Sequence, residues 1–392
     1  MTSASFPRAR RRLRLGLVGG GRGYIGRVHA DGAKLSDRWE VVAGALSSDP
    51  TVAESTGVDW MLPPDRIYRS FHEMATREAI RLDGIDAVAI TTPNVTHHEA
   101  CVAFLDKGID VICDKPLTTR LADAVDLVER QRRTGLVFGV THAFAAFAMV
   151  RQAREMVRAG ELGRIRHVHV EFIQDWAVAP IAPDHKGGQW RIDPKRAGPS
   201  FTTADIGVHA HHMACFVTGL TMTALRAELH VCGADKPLDD NAFMHVRYDY
   251  AVPGTLFVSQ AAAGADSVIR LRIFGDKAGL DWDMQAPELL RINRLSAPTQ
   301  TLVRGEGAGI SAVASRFNRQ PRGSPQALID AWASLYTEFA VAIEARRMGI
   351  PLPPDLVAYP TVLDGARGVR FVEAAIESHQ AGGAWVDCRL NA

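Results

Sequence analysis

Short apolar runs and helical stretches alternate through the first 140 residues. LRLGLV (13–18) precedes a helical pattern over 25–36, and VVAGAL (41–46) precedes one over 49–55. DAVAIT (86–91) leads into THHEACVAFLDKG, DVIC (110–113) leads into TTRLADAVDLVERQRR, and LVFGV closes the series at residue 140. Nearly continuous apolar runs predict strands covered on both faces, and hence a parallel sheet joined by helical crossovers. Leu121, Val125 and Val128 recur at helical spacing, giving the last crossover a buried stripe.

Beyond residue 150 the period changes. IRHVHVEF (165–172), AFMHVRYDY (242–250), TLFVSQ (255–260) and VIRLRIFG (268–275) alternate apolar and polar positions, as strands with one buried face do. DIGVHAHHMACFVTG (205–219) reads as helix, as do 326–347 and 360–378, while 293–325 reads as loop. The predicted architecture is α/β: a Rossmann-type doubly wound parallel sheet over residues 1–145, then an α+β domain with a mostly antiparallel sheet over 146–392. One late helix could pack back on the first domain. A cleft between the domains is the expected substrate site.

Composition narrows the partners. The 392 residues are 47% hydrophobic and 23% charged with a formal charge of +1, so no global field favours nucleic acid. The one basic run, RARRRLR (8–14), abuts the first strand and reads as a solvated arm. Its short apolar continuation has no cleavage-like end, and no stretch reaches membrane-spanning length. Cys101, Cys113, Cys215, Cys232 and Cys388 are far apart and form no CxxC pair, which fits reduced thiols in a cytoplasm.

Candidate chemistry sits where the first-half strands end. Gly19, Gly21 and Gly26 spell GxGxxxxG, two residues longer than the usual dinucleotide fingerprint. Such a loop lets backbone amides and a helix N-terminus approach a pyrophosphate, and Arg22 offers a nearby positive charge. After the second strand, Ser47 and Ser48 stand where an acidic residue often meets the ribose of NAD, and Asp49 could cap the next helix. No basic residue flanks them to select a 2′-phosphate, so NAD is favoured over NADP.

Pro93, Asn94 and His97 follow the third strand, placed to orient a nicotinamide ribose or a substrate, or to start a helix capped by Thr96. Lys115 lies between the fourth strand and Pro116, a position biased towards extended backbone. A positively charged nicotinamide ring would favour the neutral amine there. Asp205 and His209 are four apart, as on one helix face, with His212 three further on. Imidazole accepts a proton near neutral pH, and the carboxylate could bind a substrate hydroxyl or orient the base. These groups with His142 could also hold a metal, but the nucleotide domain offers redox chemistry without one, and no metal is expected. His142, near the end of the first domain, and Asp175, Trp190 and Arg191 of the second are candidate substrate contacts, Trp190 as a platform for a sugar ring and Arg191 as a hydrogen-bond fork, alongside His185.

Taken together, LGLVGGGRGYIGRVH, ITTPNVTHH, VICDKPLTT and DIGVHAHHM resemble the Gfo/Idh/MocA oxidoreductases, a family that includes sugar and inositol dehydrogenases. The lysine-proline motif reads Asp114-Lys115-Pro116 where the family usually has Glu-Lys-Pro. The resemblance implies hydride transfer between a carbinol carbon and nicotinamide C4 of NAD or NADP. It further implies His209 as acid/base, Lys115 polarising the substrate oxygen, and Asp205 binding substrate beside them. It is also consistent with a homodimer or homotetramer and with a sugar, sugar derivative or cyclitol as substrate. An oxo-sugar reductase is the alternative enzyme, and a nonenzymatic dinucleotide sensor the alternative class. The sensor would not need both Lys115 and His209.

Overall fold

The computed structural model describes residues 11–21, 23–234, 236–352 and 357–390. Arg22, the positive charge expected at the glycine loop, lies outside the described residues.

Five strands, β1 (Leu13–Gly19), β2 (Trp39–Ala45), β3 (Ala87–Thr91), β4 (Asp110–Cys113) and β5 (Phe138–Val140), form an all-parallel sheet in the order β2-β1-β3-β4-β5. β3, β4 and β5 are buried at every position, which is why their sequences read as unbroken apolar runs. The register aligns one row across the sheet: Ala45, Val18, Ile90, Cys113 and Val140 are successive partners. The glycine loop, Thr92, Lys115 and His142 therefore all emerge at one edge, at the carboxyl ends of the strands.

The second sheet has nine strands: β6 (Ile165–Gln174), β7 (Met222–His230), β8 (Asn241–Tyr248), β9 (Pro253–Ser259), β10 (Ser267–Gly275), β11 (Ala278–Asp283), β12 (Leu289–Arg294), β13 (Gln300–Val303) and β14 (Val386–Asp387). Their order is β13-β12-β11-β10-β6-β9-β8-β7-β14. Every neighbouring pair is antiparallel except β6 with β9, which run parallel with Ile173 opposite Ser259. The stretch 293–325 is not all loop, since it contains β13 and a short helix, Ala312–Ser315. Its polar, half-exposed strand lacks the apolar alternation that marks a sheet with one covered face.

Both late helices reach the first sheet. In helix Leu328–Met348, Trp332 packs so closely on Gly32 that a Cβ there would sit 2.8 Å from it. Phe339 covers Gly139 of β5, where a Cβ would meet its ring at 2.1 Å. Tyr336 accepts the Trp39 indole N–H on its carbonyl at 2.8 Å and pairs its hydroxyl with His29 at 2.7 Å. Burying each of these large side chains is worth about 1.5–3 kcal/mol. Helix Val362–Gln380 lies between helix Leu121–Thr134 and β7: Glu373 accepts the Leu121 amide and the Ser378 hydroxyl accepts the Ala227 amide.

Candidate active site

The glycine loop is shaped by contacts that only glycine permits. Gly19 and Gly20 have φ of +79° and +75°, and a Cβ on Gly20 would sit 2.6 Å from the Gly26 Cα. Gly26 lies in helix Tyr24–Leu35, whose N-cap, Gly23, supplies no side-chain hydrogen bond, so first-turn amides are left for an anionic ligand. The Gly21 amide donates instead to the Leu46 carbonyl at 3.0 Å, tying the loop to the end of β2 rather than to a phosphate. Gly20 was thus the glycine of the contact and Gly21 its anchor, which the bare spacing does not distinguish. At the β2 end, the Ser47 hydroxyl accepts the Asp49 amide, and Asp49 caps helix Pro50–Asp59 by accepting the Thr51 and Val52 amides. Ser48 is exposed beside them. A dinucleotide fits this edge: Gly20 and Gly26 meet backbone to backbone, an approach that a Cβ on either would block, and this holds the uncapped helix N-terminus at the strand ends.

Two residues after β3 have duties within the protein. Asn94 donates its side-chain amide to the Ala197 carbonyl at 3.1 Å, linking the domains, and leaves its side-chain oxygen uncommitted among the described residues. His97 was expected to touch cofactor or substrate, but the structure corrects this. Its Nδ1 faces the Pro116 carbonyl and its Nε2 the Thr92 carbonyl, each at 2.9 Å, so the buried ring clamps two loops and has no nitrogen to offer. Burial opposes its charge, yet Cys113, Asp114 and the Pro116 carbonyl outweigh burial and lift its pKa to about 9. Pro93 stays half-buried at the same edge.

Lys115, at the cis Lys115–Pro116 peptide, crosses to the second half of the chain. Its ammonium donates to both the carbonyl and the Oδ1 of Asp205, each at 2.7 Å. The same Oδ1 accepts from Arg191 Nε at 3.4 Å, and Oδ2 accepts from Gln260 Nε2 at 2.8 Å. Burial would raise the Asp205 pKa, but the Lys115 and Arg191 cations and these hydrogen bonds hold it well below the usual carboxylate range. Asp205 is therefore a fixed anion that fastens the two domains at the reacting edge.

Asp205 does not orient His209, because no hydrogen bond joins them. Residues Thr203–Gly207 form a π turn ahead of helix Val208–Thr218, so the expected α-helical i, i+4 alignment is broken by the wider turn. Asp239 holds that turn's entry by accepting the Phe201 and Thr203 amides. His209 instead faces His142, Nδ1 to Nδ1 at 3.4 Å, and His142 stacks on His212 with centroids 4.2 Å apart and planes 4° apart. Burial, with Lys115 among the further causes for His209 and His142, pushes the pKa values of all three imidazoles well below 6.5, so they are neutral at pH 7. Among the described residues no group of three His, Cys, Asp or Glu side chains has an arrangement that could hold a metal.

Of the expected substrate contacts, the structure brings Arg191, His142 and His212 to Lys115, Asp205 and His209. Arg191 lies over the half-buried Trp190 ring, 4.6 Å from its centroid, and is pinned by the Gly187 carbonyl. Asp175, half-buried after β6, makes no side-chain hydrogen bond among the described residues and is not joined to the cluster. His185 caps the short helix Lys186–Arg191. Sequence reading missed Gln260. Its amide N–H groups bridge Asp205 and Gln174 Oε1 (3.0 Å), while its Oε1 accepts the Thr202 hydroxyl at 2.7 Å. Only the parallel pairing of β6 and β9, invisible in either strand's pattern, sets Gln174 and Gln260 side by side.

A Rossmann sheet with a glycine cradle and a lysine at its carboxyl edge, facing a carboxylate and an imidazole carried by a second domain, defines a two-domain dinucleotide-linked oxidoreductase. The profile of the oxidoreductase family with NAD-binding Rossmann fold matches residues 13–142, and that of the GFO/IDH/MocA C-terminal domain matches 150–281. The chain belongs to the Gfo/Idh/MocA oxidoreductases. It is 33% identical over 384 residues to the uncharacterized oxidoreductase YfiI of Bacillus subtilis, covering 96% of both chains. Among solved structures, an oxidoreductase from Sinorhizobium meliloti is 41% identical with a TM-score of 0.86, covering 96% of this chain and 100% of the other. An inositol dehydrogenase homolog from Azotobacter vinelandii, in complex with NADH and myo-inositol, is 33% identical with a TM-score of 0.89, covering 96% and 98%. No helix among the described residues is long and apolar enough to cross a membrane.

Proposed function

We propose that this chain is an NAD-dependent dehydrogenase that oxidises a carbinol carbon of a cyclitol, sugar or sugar derivative. The observation that carries the reading is the Lys115–Asp205 ion pair across the domains, with neutral His209 one turn beyond it. The nicotinamide, when bound, supplies the hydride acceptor. Gly19, Gly20 and Gly26 would shape the pyrophosphate end, with Gly21 anchoring the loop to the end of β2, Ser47 and Ser48 would hold the ribose, and Pro93, Asn94 and Lys115 the nicotinamide end. His209 accepts the hydroxyl proton, Lys115 donates a hydrogen bond to the same oxygen, and Arg191, Trp190 and Asp175 contact the remaining hydroxyls. At pH 7 the His209 imidazole is in the unprotonated form that accepting an alcohol proton requires. The outer face of the nine-stranded sheet, where Phe243 is 50% exposed and stacks on Phe257, is the surface assigned to a homodimer or homotetramer.

The test is nicotinamide absorbance with NAD and NADP against myo-inositol and other cyclitols, aldoses, sugar acids and anhydrosugars. Turnover with NAD, lost by at least about 100-fold in folded Lys115→Ala and His209→Ala proteins, is the expected outcome. Dinucleotide binding without turnover of any polyol would replace this reading with an oxo-sugar reductase or a sensor.

A further inference from the structure

No hydrogen bond joins the Asp205 carboxylate to His209; its oxygens accept instead from Lys115, Arg191 and Gln260. The base must therefore be oriented by something else. We propose that His142 fills that role: it accepts the Nδ1–H of His209 and so leaves His209 Nε2 bare as the proton-accepting atom. The inference rests on the reading of His209 as the base and goes beyond it by replacing a substrate-binding role for His142 with a positioning one.

The geometry supports a dedicated pair. A neutral imidazole carries one proton on one of its two nitrogens, and the nitrogen it occupies is set by the hydrogen bond available. Two neutral rings meeting Nδ1 to Nδ1 at 3.4 Å have room for a single proton between them. Among the described residues His209 Nε2 has no partner, so a proton placed on Nδ1 is bonded and the lone pair on Nε2 stays available. His142 is itself immobilised. Its amide donates to the Val140 carbonyl at 2.9 Å, and its ring stacks on His212, which stacks in turn on Phe216 at 5.5 Å. The Phe144 ring meets His209 edge-on at 4.8 Å, fixing the plane of the second imidazole. Lys115, His142 and Asp205 face His209, and Lys115, His211 and His212 face His142; Lys115 is the cation among them, opposed at His209 by the Asp205 carboxylate, and burial keeps both rings uncharged.

Tautomers are read directly from long-range proton–nitrogen spectra of protein labelled with 15N-histidine, with His209→Asn identifying the His209 signals. The measurement uses the free protein at pH 7.5 and needs neither substrate nor dinucleotide, so it stands even if the dehydrogenase reading fails. Expected are a protonated Nδ1 and a bare Nε2 on His209, averaging of the two in folded His142→Phe, and recovery in His142→Asn, whose amide oxygen still accepts. A proton on His209 Nε2, or a His209 tautomer indifferent to His142→Phe, overturns the proposal. With an oxidised polyol in hand, kcat should fall about 10- to 100-fold in His142→Phe with KM within about twofold, and recover in His142→Asn. A raised KM at unchanged kcat would return His142 to substrate binding and overturn the positioning role.

Discussion

Gln260 has no acid–base chemistry of its own, yet it supplies one of the bonds that keep Asp205 ionised. Replacing it with leucine removes a hydrogen bond to a charged group, worth about 1.5–3 kcal/mol. Gln260→Leu is thus expected to lower kcat/KM about 10-fold or more without unfolding the protein, as steady-state assays and circular dichroism would show. His209 yields a second expectation. Because its pKa is depressed by burial, the base form persists in acid, and the acid limb of kcat/KM for oxidation should lie below pH 6.5. A limb at or above that pH would contradict the site's electrostatics. At this scale, the members of the cluster were legible: Lys115 stands out beside a strand end, and Asp205 and His209 four residues apart, although Asp205 falls in the π turn ahead of the helix. What their neighbours do was not. The partners of His97 are two backbone carbonyls, and those of Asp205 come from residues 115, 191 and 260, a meeting that no local spacing records.

Among the elements, the glycine loop was recognisable despite its stretched spacing, because a strand, three glycines and a helix follow in order. The spacing did not reveal which glycine matters most. Gly20 combines φ of +75° with a backbone approach to Gly26 that a methyl group would enter. Gly20→Ala is therefore expected to weaken NAD affinity by more than about tenfold in a fluorescence titration, by moving the helix N-terminus from its place. The strands of the first sheet were evident for a simple reason: burial on both faces makes each one a short apolar run. Several strands of the second sheet escaped notice. β7 carries charged side chains on its outward face, β14 has only two residues, and β13 is polar. The parallel β6–β9 pair is a property of topology, and it decides where Gln260 lies.

For the molecule as a whole, a set of buried uncharged imidazoles dictates the response to acid. His29 and His211 are held at about 4 by burial, and His142, His209 and His212 also lie well below 6.5. The unfolded chain takes up protons at these sites near pH 6.5 whereas the folded one does not. Stability from them is present above that pH and is lost as pH falls towards the folded values. Each such group contributes a slope of up to about 1.4 kcal/mol per pH unit. His97 acts in the opposite sense, its contribution present below pH 6.5 and lost as pH rises through about 9. The melting temperature should consequently drop by at least about 5 °C between pH 6.5 and 5, measured by scanning fluorimetry in matched ionic strength.

The late helices carry a consequence for how the protein comes into being. Strand β5 receives its cover from Phe339 and donates the Val140 amide to the Pro360 carbonyl, and Trp39 and His29 find their partner in Tyr336. On the ribosome, the first sheet is made while those residues are still untranslated. At about 5–20 residues per second, the wait from β5 to helix Leu328–Met348 lasts on the order of ten to forty seconds. During that interval the nascent nucleotide domain bares an apolar flank that only the far end of its own chain can close.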